Sequence, residues 1–152
     1  HYEEPFIAGD EKEFPFIFVD HKSRLNREGR TPNCTWYYEF KDLDPGDEIW
    51  EDVAKINPLD AQKFGIKSGD EIKITSETGS LTCKAKLWEG VRPGTVVKCY
   101  GQGHWAYGTL AAKEFGKVPR GGSNNDVIPA VYDRLSGSTV RHAGTRVKIE
   151  KV

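Results

Sequence analysis

The chain of 152 residues contains no methionine, only three cysteines and no long hydrophobic run, and each absence narrows what it can be. Cys34, Cys83 and Cys99 are odd in number and include no CxxC pair, so neither a disulfide framework nor a four-thiolate zinc site is indicated, and we expect reduced, packed thiols. His1, His21, His104 and His142 are scattered without HxxxH spacing, which removes a histidine-rich zinc site as well. No apolar stretch approaches the roughly 20 residues of a membrane-spanning helix, and the start lacks the basic-then-apolar order of a signal peptide; a soluble piece without membrane contact is expected. A formal net charge of −1 lacks the basic excess of a general nucleic-acid binder. A chain that opens on His1 without any methionine reads as processed or as a segment of a longer polypeptide, and we favour the segment.

What is present is a succession of short strands. Residues 1–13 hold five acidic residues without a clear period and read as a linker or lead-in strap, ordered only by outside contacts; residues 14–152 then form one domain. "FPFIFVD" (14–20) reads as a buried aromatic strand, and the fifteen residues of 21–35 form a loop longer than the usual connection, which favours function or disorder. "WYYEF" (36–40) resumes apolar packing, with Trp36, Trp50 and Trp88 expected as core anchors, and "KDLDPGDE" (41–48) is an acidic surface insertion.

In "INPLDAQKFGIKSGDEIKITSETGSLTCKAKL", Asn57 suits an N-cap, Pro58 the first helical position and Gly65 a left-handed stop, so the spacing predicts a helix of about two turns. Ile66 returns to the core, Ile72 and Ile74 face inward, and "ETGS" forms a tight turn with Gly79 at a positive φ. Leu81, Cys83, Ala85 and Leu87 alternate with polar residues, which buries Cys83 on a strand and gives it no chemistry. "VRPGTVVKCY" (91–100) adds a turn and a strand, and "TRVKIEKV" (145–152) a closing strand. Strands outweigh helices, and a mainly β barrel follows.

Four loops carry the polar chemistry. "HKSRLNREGR" gathers Lys22, Arg24, Arg27 and Arg30 against Glu28, a cationic cluster suited to phosphate oxygens, with Asn26 and Thr31 as short polar groups. The bland alternative is a solvated loop pairing with the acidic 3–13 or 42–48 segments at about 0–1 kcal/mol per pair. "GQGHWAYG" (101–108) places three glycines around His104 and Trp105, as if the backbone must approach something closely; a histidine satisfied by nearby backbone and a tryptophan packed in the core are the alternatives. It matches neither GxxxxGK[ST] nor a helix-opening GxGxxG. "GGSNNDVI" (121–128) offers Asn124 and Asn125, whose amides both donate and accept, or else an ordinary turn or helix cap. Arg141 and His142 precede the last strand. No nucleophile–base pair marks a self-sufficient enzyme.

The helix-turn-strand unit at 56–87, with "VRPGTV", "GRTPN", "GHWAYG" and "SNNDVI", resembles the C-terminal dinucleotide-binding domain of the dimethyl-sulfoxide-reductase family of molybdenum and tungsten oxidoreductases, from about residue 14 to the end. The resemblance implies a double-psi β-barrel with short helices and half of a cavity for two molybdopterin guanine dinucleotides, contacted by Lys22, Asn26, Arg27, Thr31, His104, Trp105, Asn124, Asn125, Arg141 and His142. It also implies that the metal ligand and any iron–sulfur cluster lie elsewhere, in the remaining domains or catalytic subunit of the oxidoreductase, so that this chain has no catalytic residue and is not catalytic alone. The loop "HWAYG" is similar to that of reductases of sulfur or arsenic oxyanions. A rival of another class is a double-psi-barrel adaptor for protein recognition that binds no cofactor; it offers no shared reason for the cationic loop, "HWAYG" and "SNNDVI".

Overall fold

A computed structural model of the chain describes residues 2, 4, 6–23, 29, 31–39, 52–106, 108–138 and 144–152. Six of its strands close into a barrel in the order β1 (Phe16–His21), β5 (Thr95–Cys99), β2 (Val53–Ile56), β4 (Ser80–Leu87), β3 (Glu71–Thr75) and β8 (Thr145–Lys151). β1 with β5 and β2 with β4 pair parallel, and the other four pairings are antiparallel. Closure leaves no open edge. The mainly β expectation is met, and the two remaining strands among the described residues, β6 (Ala112–Glu114) and β7 (Val118–Pro119), make a separate antiparallel pair.

Alternation decides which side chains fill the barrel, because successive residues of a strand point to opposite faces. Phe16 and Phe18 of β1, Ile72 and Ile74 of β3, Leu81, Cys83 and Ala85 of β4, Val96 of β5 and Val147 and Ile149 of β8 are all buried in one cluster. Helix α1 (Pro58–Lys63) packs on this core as its sequence predicts. The Asn57 side chain accepts from Leu59 N at 2.9 Å, Pro58 occupies the first position, and Gly65 follows at φ 64°. α1 lies at the barrel end where β2 finishes and β5 begins: Asp60 Oδ2 accepts from Gly94 N at 2.6 Å, and Phe64 meets Phe16 with ring centroids 5.6 Å apart.

Part of the strap has contacts inside the chain as well: Ala8 bridges Thr145, donating to Gly144 O and accepting from Arg146 N, which ties it to the last strand. Two expectations need correction. Gly79 is not at positive φ; a Cβ there would come within 2.6 Å of Asp126 O, so close backbone approach is what requires the glycine. Trp36 is not a core anchor but 52% exposed on a short 3-10 helix, Thr35–Glu39, and Trp88 is half-buried with the Lys55 ammonium 5.3 Å from its ring. Trp50 and the 41–48 insertion lie outside the described residues.

Candidate functional site

The register of the barrel brings the polar loops to one end. β1 and β5 run parallel, so the loops after His21 and after Cys99 leave the same rim; β8 runs antiparallel to β1, so the segment before Thr145 arrives there too. The fourth segment, 121–126, is packed onto this rim. Direct contacts tie the loops together: Tyr100 N donates to His21 O, Ala111 N donates to Asn33 Oδ1, and Gly103 N donates to Arg120 O.

These contacts answer why the 101–108 loop is so rich in glycine. Gly103 has φ 85° and no room for a Cβ against the Gly122–Ser123 backbone; Gly108 is closed off by the Asn33 side chain. A Cβ on Gly29 would lie 3.0 Å from Gly101 Cα. Gly29, Gly103 and Gly108 let the protein's own loops stack on one another, so part of the close approach is made within the chain.

On this rim Lys22, Trp105 and Asn125 are exposed, and Thr31 and His104 are partly buried. His104 Nε2 donates to Gly101 O at 3.1 Å, so backbone within its own loop orients the imidazole. Asn124 is buried: its Nδ2 donates to Lys98 O at 3.3 Å, while its Oδ1 has no hydrogen-bond partner among the described residues. Asn26, Arg27, Arg141 and His142 lie outside the described residues, with Arg24 and Arg30.

Sequence reasoning missed the charges beneath the rim. The inward row of β1 runs Phe16, Phe18, Asp20; that of β5 runs Val96, Lys98; and that leading into β2 runs Asp52, Ala54, Ile56. Each row is apolar at the α1 end and charged at the loop end. Lys98 is fully buried with its Nζ 2.7 Å from Asp52 Oδ1. Burial pushes the Asp52 carboxyl above its ordinary range, opposed by the Lys98 ammonium and by the Gly122 amide. The signal was available: the strand alternation that points Val96 inward also points Lys98 inward.

A groove of about 730 Å³ runs along β4 and the β6–β7 hairpin, lined by Thr82, Lys84, Lys113 and Arg120 and also by Asp52, Gly121, Gly122 and Asp126 of the rim; none of the expected contact residues borders it. Among the described residues no group of three or more His, Cys, Asp or Glu side chains is placed to hold a metal ion. No helix among them is long and apolar enough to cross a membrane.

The architecture is thus a closed mixed barrel with the described ends of the polar segments at one rim. The model of the molydopterin dinucleotide binding domain matches residues 33–143, and the chain belongs to that family. Over its full length it is 68% identical to the arsenate respiratory reductase molybdopterin-containing subunit of Shewanella sp. strain ANA-3, and over 99% of its length 63% identical to that of Chrysiogenes arsenatis. It spans 18% of the length of each of these relatives. A tetrathionate reductase chain of Archaeoglobus fulgidus is 40% identical over 63% of this chain and 8% of that protein. Among solved structures, acetylene hydratase from Pelobacter acetylenicus superposes over the whole chain and 21% of its own length with a TM-score of 0.69 at 22% identity, a likeness of fold. Family membership supports the cofactor reading over the adaptor.

Proposed function

We propose that the loop-bearing rim is this chain's share of the cavity for molybdopterin guanine dinucleotide in an arsenate-reducing oxidoreductase. The observation that carries the reading is that the described ends of the polar segments, after His21, after Cys99, at 121–126 and before Thr145, lie at one barrel end. Similarity to two arsenate respiratory reductase subunits supports the substrate class over sulfur oxyanions. The chemistry of the rim fits the group: a pterin presents alternating donors and acceptors, and its phosphates are anionic. The exposed Asn125 amide can meet the former, and the buried Asn124 Oδ1, without a hydrogen-bond partner among the described residues, is a further acceptor beneath it. Lys22, with Asn26, Arg27 and Thr31 of the same loop, meets phosphate; Trp105 supplies a flat wall and His104 an oriented ring, and Arg141 and His142 complete the contacts.

When bound, the cofactor supplies metal-centred redox chemistry, and this chain places it and sets the charge around it. The partners are the remaining domains of the catalytic subunit, consistent with a span of 18% of its relatives. The test is the pterin and metal content of the full-length enzyme carrying Arg27→Ala or Asn125→Ala. Content lowered several-fold with an unchanged melting temperature is expected; wild-type content in both variants would overturn the site. Metal analysis of the same preparations distinguishes molybdenum from tungsten.

A further inference from the structure

The buried ion pair below the rim makes one arrangement that a hydrophobic filling could not. Lys98 Nζ donates to Gly122 O at 2.8 Å, and Gly122 N donates to Asp52 Oδ2 at 2.7 Å. Both polar backbone groups of one glycine are thus taken by opposite members of a pair that is itself closed at 2.7 Å. Lys98 also reaches the segment through its own carbonyl, which accepts from Asn124 Nδ2. Gly121, at φ 70°, lies against the Asp52 side chain and Gly122 against Leu81, with no space for a Cβ at either.

We propose that the Lys98–Asp52 pair is a positioning device for residues 121–126, holding Asn124 and Asn125 where the rim presents them; this rests on the cofactor reading above. The far side of the segment has its own anchor. Val127 is fully buried, its carbonyl accepts from Ser76 Oγ at 2.7 Å, and Asp126 O lies against Gly79. Between the two anchors runs the short 3-10 turn Asn124–Asp126, with Asn125 exposed on it. Stability alone does not account for the pair, because desolvating two charges offsets most of their attraction and a well-packed apolar pair of similar volume is often as stable. An apolar pair, however, cannot grip a peptide by both its N–H and its C=O. The pair therefore acts on the position of the segment.

The experiment uses the full-length enzyme with Lys98→Met, the double variant Lys98→Met/Asp52→Leu, and Asn125→Ala as comparator. Amide hydrogen exchange over 121–127 is measured on protein from a host unable to make the pterin, so that cofactor loss does not itself alter exchange; pterin content and melting temperature are measured on protein from a competent host. Lys98→Met is expected to melt lower because Asp52 is left buried without its cation. The double variant is expected to recover most of the melting temperature, yet to exchange at least about tenfold faster at residues 122–125 and to hold less than half the pterin. Recovery of both protection and pterin in the double variant would show a merely structural pair and overturn the proposal, as would unchanged protection in both variants. Lost protection with full pterin, while Asn125→Ala loses pterin, would overturn the positioning role but leave the cofactor reading standing; full pterin in Asn125→Ala as well would remove the reading itself. If the double variant does not accumulate, the nearly isosteric Asp52→Asn decides by the same measurements.

Discussion

Gly103 packs on Ser123 so closely that a Cβ on the glycine would overlap the Ser123 amide nitrogen. This contact joins the loop after β5 to the segment carrying Asn124 and Asn125, and it gives the first prediction. Gly103→Ala must adopt φ 85° and displace backbone, whereas Gly65→Ala adopts φ 64° with nothing within 4 Å. The latter is expected to cost about 1–2 kcal/mol, the penalty of a left-handed L-residue alone, and the former clearly more. Denaturant unfolding of both variants checks the difference.

Asn57 joins α1 to the turn before β5. Its Oδ1 accepts from Leu59 N at 2.9 Å and its Nδ2 donates to Val91 O at 2.7 Å in a buried setting. Asn57→Ala removes a cap and leaves a buried carbonyl unsatisfied, so a loss of about 2–3 kcal/mol is expected by equilibrium unfolding, while Asn57→Asp, which keeps the cap acceptor but not the donor, loses less of the helix cap.

Asp70 accepts from Lys67 N at 2.8 Å and pairs with Lys151 Nζ at 2.7 Å, tying the turn before β3 to the end of β8. The hydrogen bond from Lys151 and that from the Lys67 amide hold its carboxyl below the ordinary 3.8. The folded state therefore binds this proton less tightly than the unfolded chain. The stabilisation is complete above about pH 4 and is lost as pH falls through the lower folded value. The melting temperature of Asp70→Asn is expected to lie below wild type at pH 7 and to converge with it in acid.

Cys83 is buried on β4, and burial with the nearby Asp52 carboxylate pushes its thiol far above the ordinary range, whereas Cys34 and Cys99 are partly exposed. Alkylation at pH 8 is expected to modify Cys34 and Cys99 in the folded protein and Cys83 only after denaturation, read by peptide mass. Early labelling of Cys83 would mean that β4 opens far more readily than a barrel strand should.

Local chemistry was legible wherever neighbouring residues decide the structure. Asn57, Pro58 and Gly65 mark α1 because caps act within one turn, and the alternation of Ile72, Ile74, Leu81, Cys83 and Ala85 names the inward face because strand geometry has a period of two. The exposure of Trp36 was not legible, since burial of an aromatic depends on what the rest of the fold places over it.

By itself the sequence determined the run of strands, the capped helix α1 and the polar segments at 21–35, 101–108, 121–128 and 138–149, all properties of residues a few positions apart. Only the tertiary structure decided that the described ends of these segments share one rim, because that depends on the parallel pairing of β1 with β5 and the antiparallel pairing of β1 with β8, strands distant in sequence. It also decided that the glycines at 103 and 108 serve contacts between loops and that Asp52 and Lys98, 46 positions apart (98 − 52), meet beneath Gly122. Each of these is a long-range contact made possible by barrel closure, and no local pattern of residue types encodes its partner.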